Sequence, residues 1–115
     1  MISIVVDTCD PVRLADFWAT LSGASINRRS SSSEWVVLEG LSGIGYLAFQ
    51  LVPEPKVGKN RIHIDLLVEE LDRSIERAVE IGACRVGEIV EEATNSFHVM
   101  RDPEGNEFCL VMLRR

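Results

Sequence analysis

The chain repeats one pattern of elements, and that duplication limits its possible folds more than any composition figure. Ile2–Asp7 is short, apolar and rich in Ile and Val, as strands are. Asp10 followed by Pro11 opens a helix, since an aspartate caps free amides and proline suits the first turn. Leu14, Phe17, Trp18 and Leu21 give that helix an apolar stripe, and Gly23 ends it. Ala24–Arg29, Glu34–Glu39 and Tyr46–Val52 read as three further strands. The same order then returns. Arg61–Val68 is a strand, Leu71–Ile81 a helix closed by Gly82, and Arg85–Val90, Ser96–Arg101 and Glu107–Leu113 are strands. Setting Asp10 on Glu70 places Ser3 on His63, Trp35–Leu38 on Phe97–Met100 and Phe49–Val52 on Phe108–Val111. The expectation is one α+β domain over 1–115 built from two βαβββ modules. Module 1 takes about 1–53, a linker with Pro53, Pro55 and Gly58 about 54–60, and module 2 about 61–115.

Charge and cysteine usage exclude several roles. The net charge is −6, whereas a nucleic-acid surface needs a positive stripe to displace counterions. The opening MISIVVDTCDP has no basic region before its apolar residues, so it does not read as a secretory signal. No apolar run reaches membrane-spanning length. Cys9, Cys84 and Cys109 are odd in number and lack C-x-x-C spacing, which points to a reducing cytoplasm. Neither nucleic acid nor membrane is expected as a partner.

Strand side chains alternate between two faces. One face takes Ile4, Val6, Leu47, Phe49, Ile64, Leu66, Phe108 and Leu110 with their apolar neighbours Ile2, Leu51, Val68 and Met112, and should lie under the helices. The other mixes aliphatic groups with polar ones. It carries Asp7, Gln50, His63, Asp65, Glu107 and Cys109 from the outer strands, and Trp35, Glu39, Phe97 and Arg101 from the third strand of each module. Convergent polar groups among apolar walls suit a ligand cavity, here one formed by a curled sheet. A second reading buries this face between two half-sheets, with His63 and Asp65 satisfied by each other or by water.

The segments VVDTCDPVRLADFW, GKNRIHIDLLVEELD and MRDPEGNEFCLV, set in paired modules, resemble the vicinal-oxygen-chelate superfamily of glyoxalase I, bleomycin-resistance proteins and extradiol dioxygenases. The likeness is greatest to small glyoxalase-like domain proteins and covers essentially the whole chain. It implies one cavity between the modules, a small organic ligand and a homodimer. In catalytic relatives a divalent metal sits in that cavity. The resemblance maps its ligands onto Ser3, Gln50, His63 and Cys109, and only His63 matches well. Ser3 is a poor ligand, so Glu107 joins His63, Gln50 and Cys109 as a metal candidate, with Asp65 an alternative. Hard ions want carboxylates, and this mapped set supplies none, which favours a metal-free pocket.

Three readings stay open: an enzyme, a binding protein, and a domain that pairs through an edge strand and merely mediates assembly. An enzyme of lyase, isomerase or dioxygenase type would use His63 as a base, Asp65 to orient it and Arg101 to clamp an oxyanion. Two residues along a strand span about 6.6 Å, a long reach for the His63–Asp65 contact. A non-catalytic binding protein, of the drug-sequestering bleomycin-resistance type, would instead use Trp35 and Phe97 to sandwich the ligand, with Glu39, Gln50 and Cys109 beside it. The Asp102–Asn106 turn is read as structural, with Gly105 at positive φ and Asp102 capping the loop.

Overall fold

The computed structural model describes residues 1–60 and 62–114. In chain order the elements are β1 (Ile4–Thr8), α1 (Pro11–Ser22), β2 (Ser25–Ile26), a 3-10 turn (Arg28–Ser30), β3 (Trp35–Glu39), β4 (Leu47–Leu51), β5 (Ile64–Leu67), α2 (Leu71–Glu80), β6 (Cys84–Glu91), β7 (Asn95–Arg101) and β8 (Glu107–Leu113). They form two separate four-stranded sheets, ordered β1-β4-β3-β2 and β5-β8-β7-β6. Each sheet pairs its first and last strands in parallel and its remaining strands antiparallel. The fold is therefore α+β with two βαβββ modules. The chain divides into two compact units, Met1–Lys56 and Val57–Arg115.

In the first unit the Asp10 side chain accepts from the Arg13 amide, Pro11 fills the first helical position, and Gly23 at φ 80° caps the far end. Leu14, Ala15, Phe17 and Trp18 are buried, as are Leu38, Leu47 and Phe49 of the strands that α1 packs on. In the second unit α2 buries Leu71, Ile75 and Ala78 and packs on β6, β7 and β8, which bury Met100, Phe108 and Leu110. Removing this apolar surface from water is the main stabilising term, at roughly 25 cal/mol per Å². The expected helix-covered face holds through the strand centres. At its ends Ile2 and Leu51 are exposed, because they lie at or beyond the reach of the helix.

Three expectations need correction. The strand read over Ala24–Arg29 shrinks to Ser25–Ile26, because the Asn27 side chain accepts from the Ser30 amide and turns the chain into a 3-10 turn. The strand read over Arg85–Val90 is longer, Cys84–Glu91, and carries a bulge between Val86 and Val90. The self-comparison is two residues out in the last strand of each module. Ladder pairing sets Val5 opposite Ala48 and Asp65 opposite Cys109, so the counterpart of Cys109 is Ala48 rather than Gln50. Phe49 and Phe108 match in sequence because both are phenylalanine, but ladder pairing decides the register. Arg61, the expected first residue of β5, lies outside the described residues.

The Asp102–Asn106 turn is built as read. Asp102, 3% exposed, accepts from the amides of Glu104 and Asn106 and from the Asn106 side chain, and Gly105 sits at φ 84°. Among the described residues no helix is long and apolar enough to cross a membrane.

Candidate functional site

Alternation along β5 and β8 puts Asp65 and Cys109 side by side on the face turned away from α2, since their neighbours Ile64, Phe108 and Leu110 point the other way. His63, just before β5, folds its ring over the same spot. Its Nδ1 lies 3.2 Å from Asp65 Oδ1, and the two side chains are 52% and 51% exposed. The shorter approach than strand spacing alone allows comes from the side chains leaning toward each other. A carboxylate only accepts, so Nδ1 carries the proton in this contact, and in the neutral ring the lone pair is then on Nε2.

Cys109 stands behind this pair and is 9% exposed. Burial disfavours its thiolate, and the Asp65 carboxylate adds to that by charge repulsion and by accepting the S–H hydrogen bond; Lys59 opposes weakly. The thiol pKa is thus raised, and the group is held neutral rather than poised as a nucleophile. Asp65 is the hub, accepting from His63 and standing beside Cys109 on the neighbouring strand.

One donor atom each from His63, Asp65 and Cys109 lies within 4.8 Å of the others. An imidazole, a carboxylate and a thiol in this arrangement fit a zinc-class ion with a fourth position left open. They do not fit a hard, oxygen-seeking ion, which would need more carboxylates. Binding would require Cys109 to lose its proton.

The other candidate residues sit as follows. Glu107 turns to a structural knot: its carboxylate accepts from the Asn60 amide, its own amide donates to the Asn60 side chain, and Arg101 Nε lies 3.9 Å from Oε1. Arg101 is half exposed and shares the face of Glu107 and Cys109. Phe97 and Val99 complete that face from β7, both half-buried. In the first unit Trp35 pairs with Gln50 across β3 and β4, and its ring meets the Tyr46 ring edge-on at 6.3 Å. Gln50 is exposed, and Glu39 accepts from the Asn27 side chain.

A polar residue that the sequence reading passed over is His98. It alternates with Phe97 and therefore lies on the helix-covered face of β7, 3% exposed. The signal was present in the sequence, since alternation places a histidine between Ser96 and Met100 on the inward face.

The sequence profile of the glyoxalase-like domain family matches residues 3–111. No curated protein matches the sequence. Among solved structures the chain is similar to a glyoxalase/bleomycin resistance protein/dioxygenase family enzyme from Burkholderia phytofirmans, at 18% identity and TM-score 0.83, with 97% of each chain covered. It is similar to a glyoxalase-related enzyme from Fulvimarina pelagi at 15% identity and TM-score 0.77, covering 97% of this chain and 86% of that one. A glyoxalase/bleomycin resistance protein from Albidiferax ferrireducens aligns at 16% identity and TM-score 0.72, over 100% and 98% of the two chains. At such identities the structural likeness speaks for the fold alone.

Proposed function

The chain belongs to the glyoxalase-like domain family, and from that premise we propose that it binds a small organic molecule on the helix-free sheet face of its second module, with His63 as the group that takes a proton from the ligand. The observation that carries this is the His63–Asp65 contact at 3.2 Å. Asp65 accepts from Nδ1, so in the neutral ring Nε2 is the acceptor, the arrangement a general base requires. Phe97 and Val99 offer the apolar wall against which a ligand carbon skeleton packs, and Arg101 supplies a cation for a ligand carboxylate or enolate oxygen. Cys109, neutral and buried, shapes the floor of the site and keeps Asp65 in place. A zinc-class ion held by His63, Asp65 and Cys109 would exclude the base role of His63 and the neutral state of Cys109, and would supply Lewis-acid polarisation of a ligand oxygen in their place.

The test uses small 2-oxo and 2-hydroxy carbonyl compounds. A binder raises the melting temperature of the wild type, and NMR in heavy water shows exchange of its acidic C–H proton. His63→Gln keeps the fold, since the side chain is half exposed, and should slow exchange by about two orders of magnitude, the usual contribution of a general base. Binding without exchange would leave a sequestering protein of the bleomycin-resistance kind. Exchange unchanged by His63→Gln would remove the proposed base.

The assembly we propose is a homodimer. Val57 and Ile62 are 90% and 86% exposed, apolar surface that a second copy would cover. We place the protein in the cytoplasm, a reading supported by three free thiols.

A further inference from the structure

Each unit has a cleft on the helix side of its sheet, and the two clefts occupy the same place in the repeat. In the first it measures about 300 Å³ and is lined by Val12, Asp16, Arg28 and Val36 among others. In the second it measures about 600 Å³, and the positions of Val12, Asp16 and Val36 are taken by Asp72, Glu76 and His98. The first module shows that the fold is satisfied with valines at two of these places. The polar set of the second module is therefore an addition that the architecture does not demand.

Three features make it a built site. Strand β6 loops outward opposite His98: Val86 pairs with Val99 and Val90 with Phe97, so Gly87, Glu88 and Ile89 face a single residue. Gly87 at φ 66° takes the left-handed conformation that permits the bulge. The second feature is His98 itself. Its Nδ1 donates to the Val99 carbonyl at 2.7 Å, which in the neutral ring leaves the lone pair on Nε2. Nε2 meets no partner among the described residues, yet it is not a sealed orphan atom, so it opens into the cleft that His98 lines. The third is charge. Asp72, Glu76 and Glu88 bring three carboxylates and Arg85 one guanidinium, a net of −2, and none of the four is in an ion pair among the described residues.

We propose that this helix-side cleft binds a small aliphatic diamine in its doubly protonated form, with one ammonium donating to His98 Nε2 and the carboxylates of α2 and the β6 bulge neutralising the charge. The ligand class follows from the chemistry. An acceptor nitrogen at the floor selects an N–H donor, three carboxylates against one guanidinium match two positive charges, and Ile75 and Ile89 offer apolar surface to a short methylene chain. A bare divalent ion fits less well, because the three carboxylates and His98 do not draw together into a coordinating cluster. The site lies on the opposite side of the sheet from His63, so it goes beyond the function proposed above and stands independently of it.

The test is calorimetric titration of the full chain with putrescine at physiological salt, with the diol of the same chain length and magnesium chloride as controls, and NMR of the His98 ring. Saturable one-site binding that shifts the His98 ring, with no response to the diol, is the expected result. Asp72→Asn with Glu76→Gln, two exposed helix positions whose exchange leaves the core untouched, should weaken binding about tenfold or more. Asp16→Asn in the first module and His63→Gln should leave it unchanged. Unsaturable binding, displacement by magnesium at equal concentration, equal affinity for the diol, or indifference to the Asp72/Glu76 pair would each overturn the proposal.

Discussion

Cys109 shows how one neighbour sets the character of a side chain. The thiol is kept neutral first by burial and then by the Asp65 carboxylate, which both repels a thiolate and accepts the S–H. The folded state therefore holds this proton more tightly than the unfolded chain does. Its contribution to stability is complete below the ordinary thiol titration, about pH 8.5, and is lost as pH rises through the raised folded value. Urea unfolding followed across alkaline pH should show a falling midpoint above about pH 9 that flattens in Cys109→Ala. The same argument orders reactivity. Cys9 and Cys84 are exposed, so a thiol reagent should modify them first and Cys109 last. Asp65→Asn removes the opposing charge and should speed labelling of Cys109, though burial keeps it slower than the exposed pair. If Asp65→Asn leaves that rate unaltered, Asp65 is not the neighbour that matters and the hub arrangement is wrong.

The two helices are a natural comparison, because they hold the same place in the duplicated modules but begin differently. Asp10 caps α1 through the Arg13 amide, whereas Glu70 stands at the α2 cap with no side-chain hydrogen bond to the helix, its chain being one methylene too long for the reach. Asp10→Ala should cost about 1 kcal/mol, and Glu70→Ser or Glu70→Asp should stabilise by about 0.5–1 kcal/mol, both read from urea denaturation. Opposite signs at equivalent positions are the expected pattern; a loss at Glu70 would mean that its side chain has another duty. Elements of this kind were legible in the sequence because their signals are local: the caps, the glycines that end helices, and the period-2 alternation that separates Ile64 and Leu66 from Asp65. Register was not. Two phenylalanines drew Gln50 onto Cys109, while ladder pairing with β1 and β5 sets Cys109 with Ala48. The bulge opposite His98 was hidden for the same reason, since a strand read from composition gives no account of which residues lack a partner. The site was half legible. His63, Asp65 and Cys109 were read on one face and do meet, but the fate of Glu107 depended on Asn60, a residue of the connecting segment that no strand pattern marks.

At the scale of the whole molecule the decisive feature is the connection between the duplicated units. Between Leu51 and Ile64 no residue belongs to a helix or strand among those described, and Glu54, Pro55, Val57, Gly58 and Lys59 are exposed. Backbone outside hydrogen-bonded ladders is where a protease finds an extended substrate. Trypsin under native conditions should therefore cut first after Lys59 or Lys56, giving two fragments that correspond to the units, and only later at the arginines of α1 and α2. The same segment carries Val57, and Ile62 lies just beyond it, the exposed apolar pair on which the homodimer proposal rests. The two ideas meet in one measurement. If a second copy covers these side chains, cleavage after Lys59 slows as protein concentration rises and mass by light scattering moves from one chain to two, because dimer formation follows mass action and hides the susceptible bond. Cleavage at a rate per molecule that ignores concentration, with a single-chain mass throughout, would instead show that Val57 and Ile62 face solvent in the working protein, and the dimer would have to be abandoned. First cuts inside α1 or α2 would be a different failure, since they would place the least stable backbone within a unit rather than between the two.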